Sequence, residues 1–330
     1  MPLRNAPLPR MAGDLTFMRS QRTTLTELET DDLAIVGMPI ENNIGRKSGT
    51  RFAPTALRET SVYFGWHANP QFSHPVDIDA RVPIDTSEMH SRLVDIGDLP
   101  LEGMPLEIAQ WSIRSTTQQL RKTGSSAILL GGDETIVHPA VAGAIADGPA
   151  GFIQIGGQLP NALTNEANAG RRYRYALESL LAENAIQPST TLIMAGRNLA
   201  SVEFAHDFQE AGGQLWNAGT VARAEPETIE RNAQRMLKKH GTLHVNLDAS
   251  ALRPSLHGMT EHPQFGGLTL PDLQKTLGSL GRVPVSSLIV TGLNPTLSGL
   301  SVVKTGLRLT VTALLAYIYS RLGLKAGRAH

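Results

Sequence analysis

Apolar residues along the chain fall into short continuous runs separated by longer stretches with helical spacing, an alternation that predicts parallel strands covered by helices. The runs that read as strands are Leu33–Gly37, Leu93–Ile96, Ala127–Gly131, Gly151–Ile155, Thr191–Gly196, Leu243–Ala249 and Ser287–Thr291. Several are apolar throughout, as strands buried on both faces are. Helices are expected over Pro54–Tyr63, Pro105–Lys122, Thr135–Asp147, Pro226–His240 and Thr305–Arg321, punctuated by Pro at starts and by Gly124 and Gly241 past two ends. The stretch from Trp66 to Glu88 is too long, and too rich in Pro, Asp and His, for an ordinary connection; it reads as an excursion beside a site or at a subunit contact. With no internal repeat or linker, the pattern predicts one α/β domain over 31–330 behind an N-terminal arm over 1–30.

Composition removes several kinds of function. The 330 residues contain no Cys, which excludes disulfide staples, thiolate metal sites and a thiol nucleophile, and fits a reducing cytoplasm. Lys and Arg number 30 against 30 Asp and Glu, so no basic field exists to capture nucleic acid. No apolar run approaches the ~20 residues of a membrane span, and the start of the chain lacks a secretory core; a cytoplasmic protein without a membrane partner is expected.

In an open α/β sheet, ligands sit beyond the carboxyl ends of the strands, so the residues leaving those ends carry the candidate chemistry. Gly131-Gly132-Asp133-Glu134-Thr135 ends in acids at the mouth of a helix, where they serve either as ligands or as caps. Gly156-Gly157-Gln158-Leu159-Pro160-Asn161 has the place of a binding loop and few polar groups. Period-two geometry puts His244, Asn246, Asp248 and Ser250 on one face, with Asp248 either a ligand or the partner of an Arg. His244 lies about 13 Å back along the strand and reads as a core histidine. Gly292-Leu293-Asn294-Pro295 brings no acid. Arg171, Arg172 and Arg174 form either an interface cluster or a solvated face.

Taken in order, these segments resemble the ureohydrolase family of arginases, agmatinases and guanidino-acid hydrolases. The resemblance runs from Pro9 to Arg19, through Gly49, Arg51, Pro54 and Arg58, to Gly131-Gly132-Asp133 and Gly196-Arg197. It continues through His262-Pro263, Gly266-Gly267-Leu268 and Asn294-Pro295. It implies a three-layer fold with a mostly parallel central sheet of about eight strands and helices on both faces. It also implies a chemistry in which manganese or nickel ions bridged by hydroxide attack a guanidinium carbon.

The sequence departs from that family in the groups the chemistry needs. The family's ligand positions fall on Glu134, Gly156, Gln158, Pro160, Asp248 and Ser250, and only Asp248 keeps its residue type. Arg253 replaces a further Asp, and Gly292 stands where the family has a substrate-side Glu. Loss of a single residue beside a ligand commonly costs about 10–100-fold in metal affinity or activity, so this pattern implies no metal and no catalytic residue in this chain, with Glu134 and Asp248 as remnants. In this it is similar to the metal-ligand-lacking subunit of two-component metformin hydrolases. That likeness implies an auxiliary subunit of a heteromeric guanidine or biguanide hydrolase, whose paralogous partner carries the manganese or nickel. Two other readings are a stand-alone amidinohydrolase rebuilt from Glu134, Asp248, Gln158 and His257 or His262, and a non-enzymatic sensor of guanidino compounds. Arg197 would orient an interface carboxylate or serve the fold alone.

Overall fold

The computed structural model describes residues 14–42, 47–64, 76–77, 82–83, 87–145, 148–156, 159, 176–196, 202–260, 263 and 266–323. Its strands are β1 (Gln21–Arg22), β2 (Leu33–Met38), β3 (Val76–Asp77), β4 (Val82–Pro83), β5 (Leu93–Asp98) and β6 (Ser126–Gly131), followed by β7 (Ala150–Ile155), β8 (Ile186–Gly196), β9 (Gln214–Asn217), β10 (Leu243–Asp248) and β11 (Ser287–Thr291). A 9-stranded sheet runs in the order β1-β5-β2-β6-β11-β10-β7-β8-β9 with every neighbouring pair parallel; β3 and β4 pair separately and antiparallel. The expected fold class is the observed one. The sheet exceeds expectation at both rims, where β1 and β9 are short, polar and partly exposed. The four strands with candidate chemistry at their ends, β6, β11, β10 and β7, are immediate neighbours at the centre.

Alternate residues of each central strand enter opposite core layers. Ile153, Val245, Leu247, Leu288 and Val290 pack beneath the helices Pro226–His240, Leu270–Gly281 and Leu300–Arg321. Leu129, Phe152, Ile193 and Ile289 face the other side, with Ile113, Val141, Leu180 and Phe204 from the helices there. Each such fully buried side chain stabilises the fold by about 1.5–3 kcal/mol before entropy is counted. The helix Pro226–His240 matches expectation residue for residue, opened by Pro226 and closed by Gly241 at φ 72°.

The N-terminal segment docks from Asp14 onward, and residues 1–13 lie outside the described residues. Phe17 and Met18 are buried, and the Phe17 N–H donates to Asp95 Oδ2 at 2.7 Å. Arg58 forks onto the same carboxylate at 2.8 and 3.0 Å and also reaches Asp98. Arg58 and Asp95 are both buried, so one ion pair ties the helix Ala53–Ser61, β5 and the N-terminal segment together.

Several boundaries differ from expectation for identifiable reasons. β8 begins at Ile186 instead of Thr191, because hydroxyls of Thr190 and Thr191 donate to Gln187 O and stabilise an irregular start around Pro188. The final helix begins at Leu300 instead of Thr305. It is also long and apolar enough by composition to cross a membrane, contrary to the expectation that no segment would be; 61% of its most apolar window is buried inside the protein. Tyr317 is enclosed there, and a Cβ on Gly281 would meet Tyr317 O at 2.5 Å, so the two helices approach to backbone contact. The helix expected over Thr135–Asp147 is a 3-10 turn, Glu134–Ile136, running into Val137–Ala144. The helix Leu270–Gly281 was not expected, although Thr269 and Asp272 form a full capping box. Of the Trp66–Glu88 excursion, the described residues are β3, β4 and the start of the helix Ser87–Arg92.

Candidate functional site

At the end of β6, Gly132 lets two segments meet: a Cβ there would lie 1.8 Å from Ile40 O. Asp133 follows as a cap. Its Oδ1 accepts from the Thr135 N–H at 3.0 Å and from the Thr135 hydroxyl, and its Oδ2 accepts from the Asn42 N–H at 2.8 Å. Burial pushes this carboxyl above its ordinary pKa, against hydrogen bonds that favour the ionised form. Between the two roles open to Asp133, the structure supplies the structural one.

Glu134 turns elsewhere. It lines a cavity of about 200 Å³ with Arg114, His138 and Glu183, beside the helices Leu106–Thr123, Val137–Ala144 and Ala176–Ala182. Asp248, Ser250 and Gly156 do not line it. The two acidic remnants therefore open onto different surroundings.

Asp248 closes β10 and is 8% exposed. Its Oδ1 accepts from the Ser250 N–H at 2.8 Å, and its Oδ2 is 3.3 Å from the Thr291 hydroxyl. That hydroxyl is also 3.1 Å from Asn246 Oδ1, and the Asn246 carboxamide meets that of Gln154 at 3.1 Å. Parallel register sets this up: Asn246 lies opposite Gln154 in β7 and Asp248 opposite Thr291 in β11. A threonine hydroxyl has one hydrogen, so it cannot make two full donations. The Asn246 Nδ2 donates to the Gln154 Oε1, so the Thr291 proton is shared between Asn246 Oδ1 at 3.1 Å and Asp248 Oδ2 at 3.3 Å. Ser250 does not extend the strand face. β10 ends at Asp248, whose side chain caps the turn Ala249–Ala251 and folds Ser250 back.

Two glycines seal this carboxylate in. Gly292 has φ 75°, and a Cβ there would stand 2.6 Å from Asp248 Oδ2. A Cβ on Gly156 would stand 2.8 Å from the Gln154 Nε2 and 3.4 Å from the Asp248 Cβ. Asn294, buried, ties loops: it donates to Lys47 O at 2.9 Å and accepts from the Thr296 N–H at 3.0 Å. Arg253 donates to Gly267 O at 3.2 Å. His244 is wholly buried against the Ser287 hydroxyl at 2.8 Å, and burial lowers its pKa to about 4, as a neutral core histidine requires.

Gln158, Pro160, His262, Arg171, Arg172, Arg174 and Arg197 lie outside the described residues, as does the side chain of His257. The sequence alone did not single out Gln154 or Thr291. The usable signal was the period-two register of adjacent parallel strands, which puts them beside Asn246 and Asp248. No group of three or more His, Cys, Asp or Glu that could hold a metal occurs among the described residues.

The arginase family's sequence pattern matches residues 31–316. The chain belongs to the arginase family. Guanidinobutyrase of Pseudomonas aeruginosa is 25% identical over 275 residues, 81% of this chain and 81% of that protein. A mitochondrial guanidino acid hydrolase of Rattus norvegicus is 30% identical over 126 residues, 38% of this chain and 32% of that protein. Among solved structures, proclavaminate amidino hydrolase of Streptomyces clavuligerus superposes with a TM-score of 0.73 at 20% identity, covering 96% of this chain and 100% of its own. Trypanosoma cruzi formiminoglutamase with Mn²⁺ bound superposes at a TM-score of 0.68 and 18% identity, covering 94% and 98%.

A pair of divalent cations needs several carboxylates and imidazoles converging on one point. The described residues at the implied ligand positions do not fit that demand. Glu134 faces the flanking cavity, Gly156 offers no donor atom, and Asp248 is held by its own turn and by Thr291.

Proposed function

We propose that this arginase-family chain is a non-catalytic, metal-free subunit of a heteromeric guanidine or biguanide hydrolase, with metformin among the candidate substrates. Its cytoplasmic partner is a paralogue that carries the dinuclear manganese or nickel site. The observation that carries this reading is the enclosure of Asp248. The one acid that keeps its family type is held by the Ser250 N–H and the Thr291 hydroxyl, under a glycine whose Cβ would collide with it. An acid so held has lone pairs beyond those two bonds, but it stands as a single carboxylate with Gly156 and Ser250 at the neighbouring implied ligand positions, and one carboxylate does not make a two-cation site. Hydrolysis through a lone acid or base would contribute about 10²–10⁴-fold, far short of the roughly 10⁶-fold or more typical of enzymes. The family fold persists around it, which suits a role in assembly.

The test is to purify the chain alone and together with an intact arginase-family paralogue encoded beside it, measuring bound metal and urea release. The expected result is no stoichiometric manganese or nickel in the isolated chain, a stable mixed complex, and turnover that needs both subunits. Stoichiometric metal and guanidino hydrolysis by the isolated chain would overturn the proposal.

A further inference from the structure

The cavity beside Glu134 is built by three helical segments in the same way. Each presents residues four apart to it: Gln110 and Arg114, Glu134 and His138, Ser179 and Glu183. Gln110 and Arg114 share one face of the helix Leu106–Thr123, Glu134 and His138 span a 3-10 turn and the helix after it, and Ser179 and Glu183 span the end of Ala176–Ala182, so three polar pairs converge on one space. His138 Nε2 and Glu183 Oε2 meet at 2.8 Å and join two of the segments. The Arg114 guanidinium makes no ion pair among the described residues. The wall therefore offers a planar cationic fork from one helix and a carboxylate, Glu134, from another, with the amide of Gln110 between functions. A guanidinium fork suits a carboxylate, and a carboxylate suits a cationic nitrogen.

We infer that this cavity is a binding site for a small zwitterion, its carboxylate held by Arg114 and its cationic nitrogen by Glu134. The volume of about 200 Å³ restricts the ligand to a small molecule. An unbranched four-carbon ω-amino acid is such a molecule. The inference does not depend on the proposed assembly, because the cavity is formed within one chain and needs neither metal nor partner.

The experiment is calorimetric titration of the full-length chain with 4-aminobutyrate, butyrate and butylamine. Saturable binding of 4-aminobutyrate is expected, with each half-ligand at least tenfold weaker. R114Q and E134Q should each weaken 4-aminobutyrate at least tenfold, and R114K should lose less than R114Q. Arg114 is exposed, so R114Q should unfold at the wild-type temperature, and a thermal melt checks that. No saturable binding, butyrate or butylamine binding as tightly as the zwitterion, or unchanged affinity in folded R114Q would overturn the inference.

Discussion

Two buried carboxylates on separate parallel strands of the central sheet are satisfied in different ways. Asp95, on β5, is paired with a buried guanidinium, and its oxygens also accept from the backbone of Phe17 and Gly97. Asp248, at the end of β10, is held by a backbone N–H and a hydroxyl, with a glycine pressed against it. The first arrangement fastens distant parts of the chain, and removing its cation leaves a charge stranded in the core. The second is a local turn with a short polar chain behind it. The difference separates a long-range tie from a local one: Arg58 and Asp95 join distant segments, whereas Asp248 caps its own turn.

Arg58→Met gives the sharpest contrast. Stranding Asp95 should cost about 3–5 kcal/mol in urea denaturation, while Asp248→Asn, which keeps an acceptor for the Ser250 N–H, should cost about 1 kcal/mol. Equal losses would break the comparison. Acid adds a second contrast, between the two ends of β10. His244 has its folded pKa lowered from 6.5 to about 4, so the unfolded chain binds the extra proton first. Its contribution is complete above pH 6.5 and is lost as the pH falls toward 4, by about 3 kcal/mol. Denaturation at pH 7 and pH 5 should show about 2 kcal/mol of that loss, and His244→Gln should flatten it. The last effect concerns the glycine: Gly292→Ala should destabilise by about 1 kcal/mol, since alanine is strained at φ 75°. In an Asp248→Ala background the part of that cost due to the carboxylate should vanish, leaving only the backbone part, which a double-mutant cycle measures.

Much of the fold was legible in the sequence because the central strands are apolar on both faces and the principal helices carry Pro and Gly at their ends. Ser287–Thr291 and Pro226–His240 were read without error for that reason. The rims were not legible: Gln21–Arg22 is polar throughout and Gln214–Asn217 has only Leu215 and Trp216 between polar ends, so both are too short to stand out, and pairing with a neighbour makes them strands. The candidate site was legible as a set of strand ends, since Asp133, Gly156, Asp248 and Gly292 all leave adjacent central strands. How those ends are bonded was not. The polar chain linking Thr291, Asn246 and Gln154 depends on which residues stand opposite one another across parallel strands, whereas the capping role of Asp133 and the turn of Glu134 toward the flanking cavity depend on local turn geometry and helix packing. Chain order does not print that information.

The left-handed backbone at Gly292 acts as a ratchet. Restoring an acid there by substitution alone would drive a side chain into Asp248, so the loop after β11 would have to be rebuilt before any acid could be tolerated. Side chains larger than hydrogen at position 292 should therefore be reached only through less stable intermediates, unless the backbone around it changes first.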